Sequence, residues 1–465
     1  MTVTATSAED SALDLTAFPE GFAWGAATSA YQIEGAAATD GRAPSIWDTY
    51  SHTPGRTARG DTGDIACDHY HRWEQDVELI GELGLGAYRM SLSWSRLQPE
   101  GRGALNPRGL DFYRRLLTRL REHGVRAFVT LYHWDMPQPL EDAGGWPARD
   151  TACRFADYAG LVLRGLGDLA DDWMTINEPW CSAFLGYGTG EHAPGRTDLR
   201  AAVAAAHHLN LAHGLAAAAI RAERTVRVGV AHLITDLVPG SSGEEDLAAL
   251  RRTDVNNNLM FVDTQLRGGY PAEALELYAG QGLPGLIRDG DEAVIAAPVD
   301  FLGVNHYQQL VVTADPGDPH LGALSTAAEP QATALRWSVL PDSLRRVLTR
   351  VGGRYPGLPL YVTENGAAFD DHLDDAGAVR DPERVSYLHG YLQAAAAAIR
   401  EGVNLQGYFV WSLMDNFEWA EGYGKRFGLV HIDYRTQARI PKASAAWYRD
   451  IIAHHARAVS QNRRA

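Results

Sequence analysis

Two glutamates end apolar runs where a packed core has no use for a charge: Glu178 follows Met174-Thr175-Ile176-Asn177, and Glu364 follows Leu360-Tyr361-Val362-Thr363. A carboxylate buried without a partner is strongly destabilising, so each acid either sits in a buried ion pair or faces a polar pocket. Two carboxyl groups sharing one pocket can be driven apart in pKa, which leaves one protonated and the other ionised. Glycoside hydrolysis needs that division of labour: an acid for the leaving oxygen and a carboxylate for the anomeric carbon. Other apolar runs also finish in polar or aromatic groups. These are Gln32 shortly after the first, Arg89 and Ser91 in the second, His133, Asn305-His306-Tyr307, Trp411-Ser412 and, soon afterwards, Glu418-Trp419.

Something must bring these run ends together. Eight β-type runs stand at 22–28, 88–92, 126–133, 173–177, 226–232, 301–307, 360–364 and 405–412, each followed by a longer helical stretch. The helices are punctuated at both ends. Asn106-Pro107 is a cap followed by proline at the first helical position, and the segment closes at Gly124 with Leu110, Tyr113, Leu117 and Leu120 on one face. Asp381-Pro382 opens another that ends near Gly402, with Val385, Leu388 and Leu392 along its apolar side.

Repeated βα units without a long Gly/Ser or Pro-rich linker point to one closed (β/α)8 barrel rather than two doubly wound sheets. The Pro- and Gly-bearing stretch from Ala314 to Ala334 follows the sixth strand and is read as an enlarged active-site loop. Catalytic groups of such barrels project from the C-terminal strand ends. Glu178 and Glu364, 364 − 178 = 186 residues apart, are separated by about three repeats of roughly 58 residues each, and so belong to strands four and seven. The expected organisation is a flexible tail at 1–16, a catalytic barrel at 17–455 with enlarged βα loops around the pocket, and a C-terminal tail at 456–465.

Composition narrows the partners. The chain has 465 residues, a formal charge of −16 and 45% hydrophobic residues. That balance argues against nucleic acid and anionic membranes, which call for basic patches. Residues 1–15 carry neither a basic cluster nor an apolar stretch of signal-peptide type. Cys67, Cys153 and Cys181 stand apart without a CxxC pair, which suits free thiols in a reducing compartment, with the cytoplasm as the default. Asp68, His69 and His71 lack the i, i+4 histidine pair of a zinc helix, and no nucleotide or serine-hydrolase signature is present, so neither a metal nor any other cofactor is expected.

At its functional residues the sequence resembles glycoside hydrolase family 1, the β-glucosidase family, from about Phe18 to Tyr448. The resemblance is carried by FPEGFAWGAATSAYQIEG at 18–35, TINEPW at 175–180, VTENG at 362–366, and WSLMDNFEWAEGYGKRFGLVHIDY at 411–434 with Pro441-Lys442-Ala443-Ser444. It implies Glu178 as acid/base and Glu364 as nucleophile. It further implies Gln32, His133, Asn177, Asn305, Trp411, Glu418 and Trp419 as sugar-binding residues, and Arg89 and Tyr307 as supports of the nucleophile. Trp180 and Trp337 are candidates for the aglycone side.

Ile176 and His306 depart from the commoner aromatics of the family, and both bear on aglycone preference rather than on the acids. The expected activity is retaining hydrolysis of terminal β-D-glucosyl residues from cello-oligosaccharides and aryl or alkyl glucosides, in carbohydrate metabolism and cellulose degradation. A sugar-binding protein on the same fold with weak or lost catalysis, and a 6-phospho-β-glycosidase using Lys425 and Arg426, are the alternatives. The expected partner is a small β-glycoside, with room for self-association into a homo-oligomer.

Overall fold

The computed structural model describes residues 13–462. Eight strands close into a barrel: β1 (Ala23–Ala27), β2 (Ala87–Ser91), β3 (Arg126–Tyr132), β4 (Asp172–Asn177), β5 (Arg227–Leu233), β6 (Phe301–Asn305), β7 (Leu360–Asn365) and β8 (Leu405–Trp411). Each strand pairs in parallel with its neighbours in sequence order, and β8 pairs with β1 through Ala23–Gly407 to Ala27–Trp411. The eight expected strands all form, within two residues of the bounds read from sequence.

Helices cover the outside: α1 (His69–Glu82), α2 (Pro107–Glu122), α3 (Arg149–Leu166), α4 (Leu199–Glu223), α5 (Asp342–Arg354), α6 (Pro382–Arg400) and α7 (Ala443–Asn462). After β5 the crossover is instead a set of shorter helices, among them Glu244–Asp254 and Met260–Arg267. Asn106 caps α2 as its sequence suggests, its side chain accepting from the Arg108 N–H at 3.2 Å. Tyr113, Leu117 and Leu120 are buried beneath α2, with Leu110 partly so. No helix among the described residues is long and apolar enough to cross a membrane.

Two expectations are amended, and a third falls largely outside the described residues. The stretch from Ala314 to Ala334 is not wholly irregular: Ala323–Ala327 forms a strand antiparallel to Gln309–Ala314, which in turn pairs with Asp236–Pro239. Asp318 nucleates the turn between them, its Oδ2 accepting from Leu321 N at 2.8 Å. At the C-terminus α7 continues past residue 455 to Asn462. At the N-terminus residues 1–12 lie outside the described set, and Asp14 caps a short turn at Leu15–Ala17.

The barrel interior alternates large and small side chains. Phe128, Phe301, Tyr361 and Phe409 meet at its centre, with ring centroids 4.9 to 5.9 Å apart in four contacting pairs. Glycines make room for them: a Cβ on Gly229 would lie 2.4 Å from the Phe301 ring, and one on Gly25 would lie 2.6 Å from the Phe409 ring. At the N-terminal end buried Asp172 accepts from Arg126 at 2.6 Å and Arg227 at 2.7 Å. The floor is therefore packed with rings and closed by an ion cluster, and catalytic groups in such barrels belong to the opposite, C-terminal mouth.

Gly229→Ala should lower the urea midpoint by the equivalent of about 1–3 kcal/mol, the usual effect of overpacking a core. Adding Phe301→Leu should recover part of that loss, and equal midpoints for the single and double variants would remove the packing explanation.

Candidate active site

Local irregularities turn the functional strand ends into the mouth. The register of β4 against β5 shifts between Met174 and Asn177, and that of β7 shifts between Val362 and Glu364 against β6. Such bulges re-aim side chains. Glu178 itself adopts φ +45°, and Trp134 and Trp419 adopt φ +79° and +48°. Non-glycine residues take that conformation only where surrounding contacts hold them in it.

The mouth encloses a cavity of about 730 Å³ lined by Glu178, Glu364, His133, Trp411, Glu418 and Trp419, with Tyr307, Trp180 and Trp337 also on its walls. All nine were expected site residues. The other four, Gln32, Arg89, Asn177 and Asn305, are completely or almost completely buried behind this wall and act on it through hydrogen bonds.

Arg89 is central to that layer. Its Nη1 donates to Glu364 Oε1 and its Nη2 to Asn177 Oδ1 at 2.6 Å. Tyr307 donates its hydroxyl to Glu364 Oε2 at 2.5 Å. Glu364 thus meets a guanidinium and a phenol, both donors that suit an ionised carboxylate.

Glu178 has a different environment. Asn305 Nδ2 donates to its Oε1 at 2.7 Å, and the Cys181 thiol donates to its Oε2 at 3.2 Å. Burial first, then repulsion from Glu364, pushes its pKa up to about 8. Asn305 is fixed in orientation, since its Oδ1 accepts from Thr363 at 2.6 Å while Nδ2 also reaches Asn177 at 3.0 Å.

On the opposite side the Gln32 amide donates to Asn416 Oδ1, to the Phe417 carbonyl and, at 3.4 Å, to Glu418 Oε2. Burial, with repulsion from Glu364, Glu421 and Glu178, raises Glu418 to about 8 as well. His133 stacks on both Trp411 and Trp419, at 5.9 Å and interplanar angles of 20° and 17°. Burial and the Arg89 charge hold its pKa well below the usual value. Its Nε2 lies 3.1 Å from the Asn177 amide, and its buried Nδ1 has no protein partner.

Other strand-end residues prove to be supports. Asn365 donates to the His306 carbonyl at 2.6 Å, and Ser91 accepts from Ala30 N at 2.7 Å. His306 lies behind the wall, bonded to the Ile234 carbonyl and to Ser343, and Ile176 is fully buried; neither lines the cavity. His69 binds Asp76 at 2.7 Å, and Asp76 is paired in turn with Arg439.

Several lining residues escaped the sequence reading. Trp134 donates to the Asn177 carbonyl at 3.0 Å and packs on Trp419 at 4.6 Å. His192 packs on Trp134 from a distant loop, and Cys181 reaches Glu178 from the next helical turn. Only Cys181 had a readable signal, its i, i+3 spacing from an acid entering a helix.

The cavity thus brings together two differently held acids, one just past the fourth barrel strand and one on the seventh, as their spacing in the sequence suggested. The family model Glycosyl hydrolase family 1 matches residues 15–457. The chain belongs to that family. A bifunctional beta-D-glucosidase/beta-D-fucosidase of Bifidobacterium breve is 48% identical over 459 residues, covering 94% of this chain and 98% of the relative. Thermostable beta-glucosidase B of Thermobispora bispora is likewise 48% identical, over 452 residues covering 96% and 92%. A solved structure of beta-glucosidase from Thermotoga maritima in complex with deoxynojirimycin superposes with a TM-score of 0.91 at 44% identity, covering 94% of the family 1 chain and 99% of that structure.

Infrared titration from about pH 6 to about pH 10 should show carboxyls that are protonated at the acid end and lose their proton near 8, far above an ordinary glutamate. Glu178→Gln and Glu418→Gln should each remove one of them. A spectrum with no carboxyl titrating in that window would contradict the electrostatics described above.

Proposed function

We propose that the chain is a retaining β-glucosidase in which Glu178 is the acid/base and Glu364 the nucleophile. The observation that carries this reading is the contrast between their surroundings. Glu364 accepts from Arg89 and Tyr307, whereas Glu178 receives no cation and is pushed up to about 8. One acid is ready to attack and the other to donate.

In the first step a Glu364 oxygen attacks the anomeric carbon while the bond to the leaving oxygen breaks and that oxygen takes the Glu178 proton. The aglycone departs as an alcohol, leaving a glycosyl ester on Glu364. Glu178, now ionised, takes a proton from water as the water attacks the same carbon, and Glu364 is released. Two inversions give net retention.

Around this chemistry, Asn177 Nδ2 would serve the 2-hydroxyl and His133 a neighbouring one, while Asn305 orients the acid. Gln32 steadies Glu418, whose carboxyl serves the remaining hydroxyls, and Trp411 and Trp419 offer apolar faces to the C–H side of the ring. The relatives named above are β-glucosidases, one of them also a β-fucosidase, which supports a β-glucosyl glycone with tolerance at a hydroxyl position. Trp180 and Trp337 on the cavity wall favour aryl glucosides and short cello-oligosaccharides as substrates. Glu418 in this cavity disfavours a 6-phosphorylated sugar, because in either protonation state it brings no cation to pair with a buried dianion. Lys425 Nζ is taken up by the Ala334 carbonyl at 2.8 Å.

Glu364→Gln should abolish turnover of every substrate. Glu178→Gln should depress hydrolysis of poor leaving groups far more than that of activated aryl glucosides, by about 10²–10⁴-fold against a much smaller loss. Proton NMR of the wild-type reaction should show β-glucose as the first product. Initial α-glucose, or equal losses for both leaving-group classes in both variants, would reverse the assignment.

A further inference from the structure

We infer that Cys181 is a positioning residue for the proton of Glu178: its thiol holds Oε2, the oxygen that exchanges the proton, and sets how readily the proton leaves. The inference rests on the acid/base role proposed for Glu178. Cys181 Sγ lies 3.2 Å from Glu178 Oε2, and the cysteine is 3% exposed on the cavity wall. It follows the acid by three residues, and its own backbone N–H bonds to the Glu178 carbonyl at 3.0 Å, so side chain and main chain anchor the same residue.

The two oxygens of Glu178 are not equivalent. Oε1 accepts from the Asn305 amide at 2.7 Å. That amide cannot turn over to become an acceptor, because its own oxygen is held by Thr363 and its nitrogen also serves Asn177. A proton on Oε1 would compete with a fixed donor, so Oε2 is the better carrier. Oε2 meets sulfur, a weak donor and a weak acceptor. When Glu178 is ionised the S–H can point at Oε2. When Oε2 carries the proton the thiol can rotate away or accept, with little lost either way. A hydroxyl at this place would stabilise the ionised acid more strongly.

The other charged and titratable groups facing Glu178 are Glu364, Arg89, Glu418, Tyr307 and His133. They come from β7, β2, the loop after β8, the end of β6 and the end of β3, and none of them touches Oε2. The thiol's share in lowering Glu178 therefore acts beside a larger and unchanged background of burial and Glu364 repulsion.

The test is the alkaline limb of the kcat/KM profile for a poor leaving group such as cellobiose, in wild type, Cys181→Ser, Cys181→Ala and Glu178→Gln. The limb should move down in Cys181→Ser and up in Cys181→Ala, each by roughly half a unit to one unit, the size of one ordinary hydrogen bond. A residue that merely fills space would lower kcat without moving the limb. Cys181→Ser, nearly isosteric, decides the matter even if the alanine variant is unstable. Limbs that coincide in wild type and Cys181→Ser, with the limb absent in Glu178→Gln, would overturn the role of Cys181 alone. A limb that persists in Glu178→Gln would overturn the acid assignment and this inference with it.

Discussion

A buried guanidinium facing two strands at once is the constraint around which the mouth of this barrel is built. Arg89 is 1% exposed, and it bonds Glu364, Asn177 and the Thr363 carbonyl. A buried cation is tolerable only when paired and hydrogen-bonded, and removing one partner of such a pair is far more damaging than replacing both. The positions of Glu364 on β7 and Asn177 on β4 are therefore fixed relative to β2. Through Asn177 and Asn305 the same guanidinium also fixes Glu178, to which it makes no direct hydrogen bond.

That arrangement needs a dry and rigid foundation. Below the mouth four aromatic rings fill the barrel, and they fit because glycines on β1 and β5 leave them space. Below those rings Asp172 is paired with two partly exposed arginines, so the carboxylate buried at the opposite end of the barrel is not left unpaired. Electrostatic interactions at the mouth are then strengthened by low polarisability beneath it. The two glutamates in one cavity are accordingly held differently: the oxygens of one are committed to a cation and a phenol, while those of the other meet only an amide and a thiol.

Much of this was legible in the amino-acid sequence, for physical reasons that also mark its limits. Strands buried on both faces read as short apolar runs, and helix ends read through Asn106-Pro107 and Asp381-Pro382, so the eightfold alternation could be counted. Polar groups at the ends of such runs are conspicuous because a core would exclude them, and that exposed Glu178, Glu364, Arg89 and Asn305 together. Trp134 and His192 carried no such mark: their side chains enter the cavity from loops, and nothing local fixes where a loop tip lands. The strand Ala323–Ala327 was missed because it lies in half-exposed residues whose pairing partner, Gln309–Ala314, lends it no apolar alternation. Asn365 and Ser91 illustrate the converse, polar strand-end residues spent on backbone carbonyls and amides rather than on the cavity.

The last motif owes its length to a second buried ion cluster, away from the cavity. Glu418 and Trp419 ride on the loop between Asp415 and Gly428, and the stem of that loop is closed by Asp415 itself, whose Oδ1 accepts from Gly428 N at 2.9 Å and from Lys442 Nζ at 2.7 Å. Asp415 Oδ2 takes Arg426 at 2.6 Å, and Lys442 is shared with Asp371, which is paired in turn with Arg384 on α6. Asp381, at the start of α6, also binds Arg384 and accepts from the Ser444 N–H and hydroxyl. Asp371, Asp381, Arg384, Asp415, Arg426 and Lys442 thus form one largely buried network in which no charge can be dropped without stranding another. A loop that places a carboxyl and an indole on the cavity wall cannot rely on its own short contacts, since loop backbone is the least constrained part of a barrel. Tying its stem into the ring of helices gives it the stiffness of the scaffold, and this explains why Pro441-Lys442-Ala443-Ser444, which does not line the cavity, accompanies the cavity-lining residues in the sequence signature.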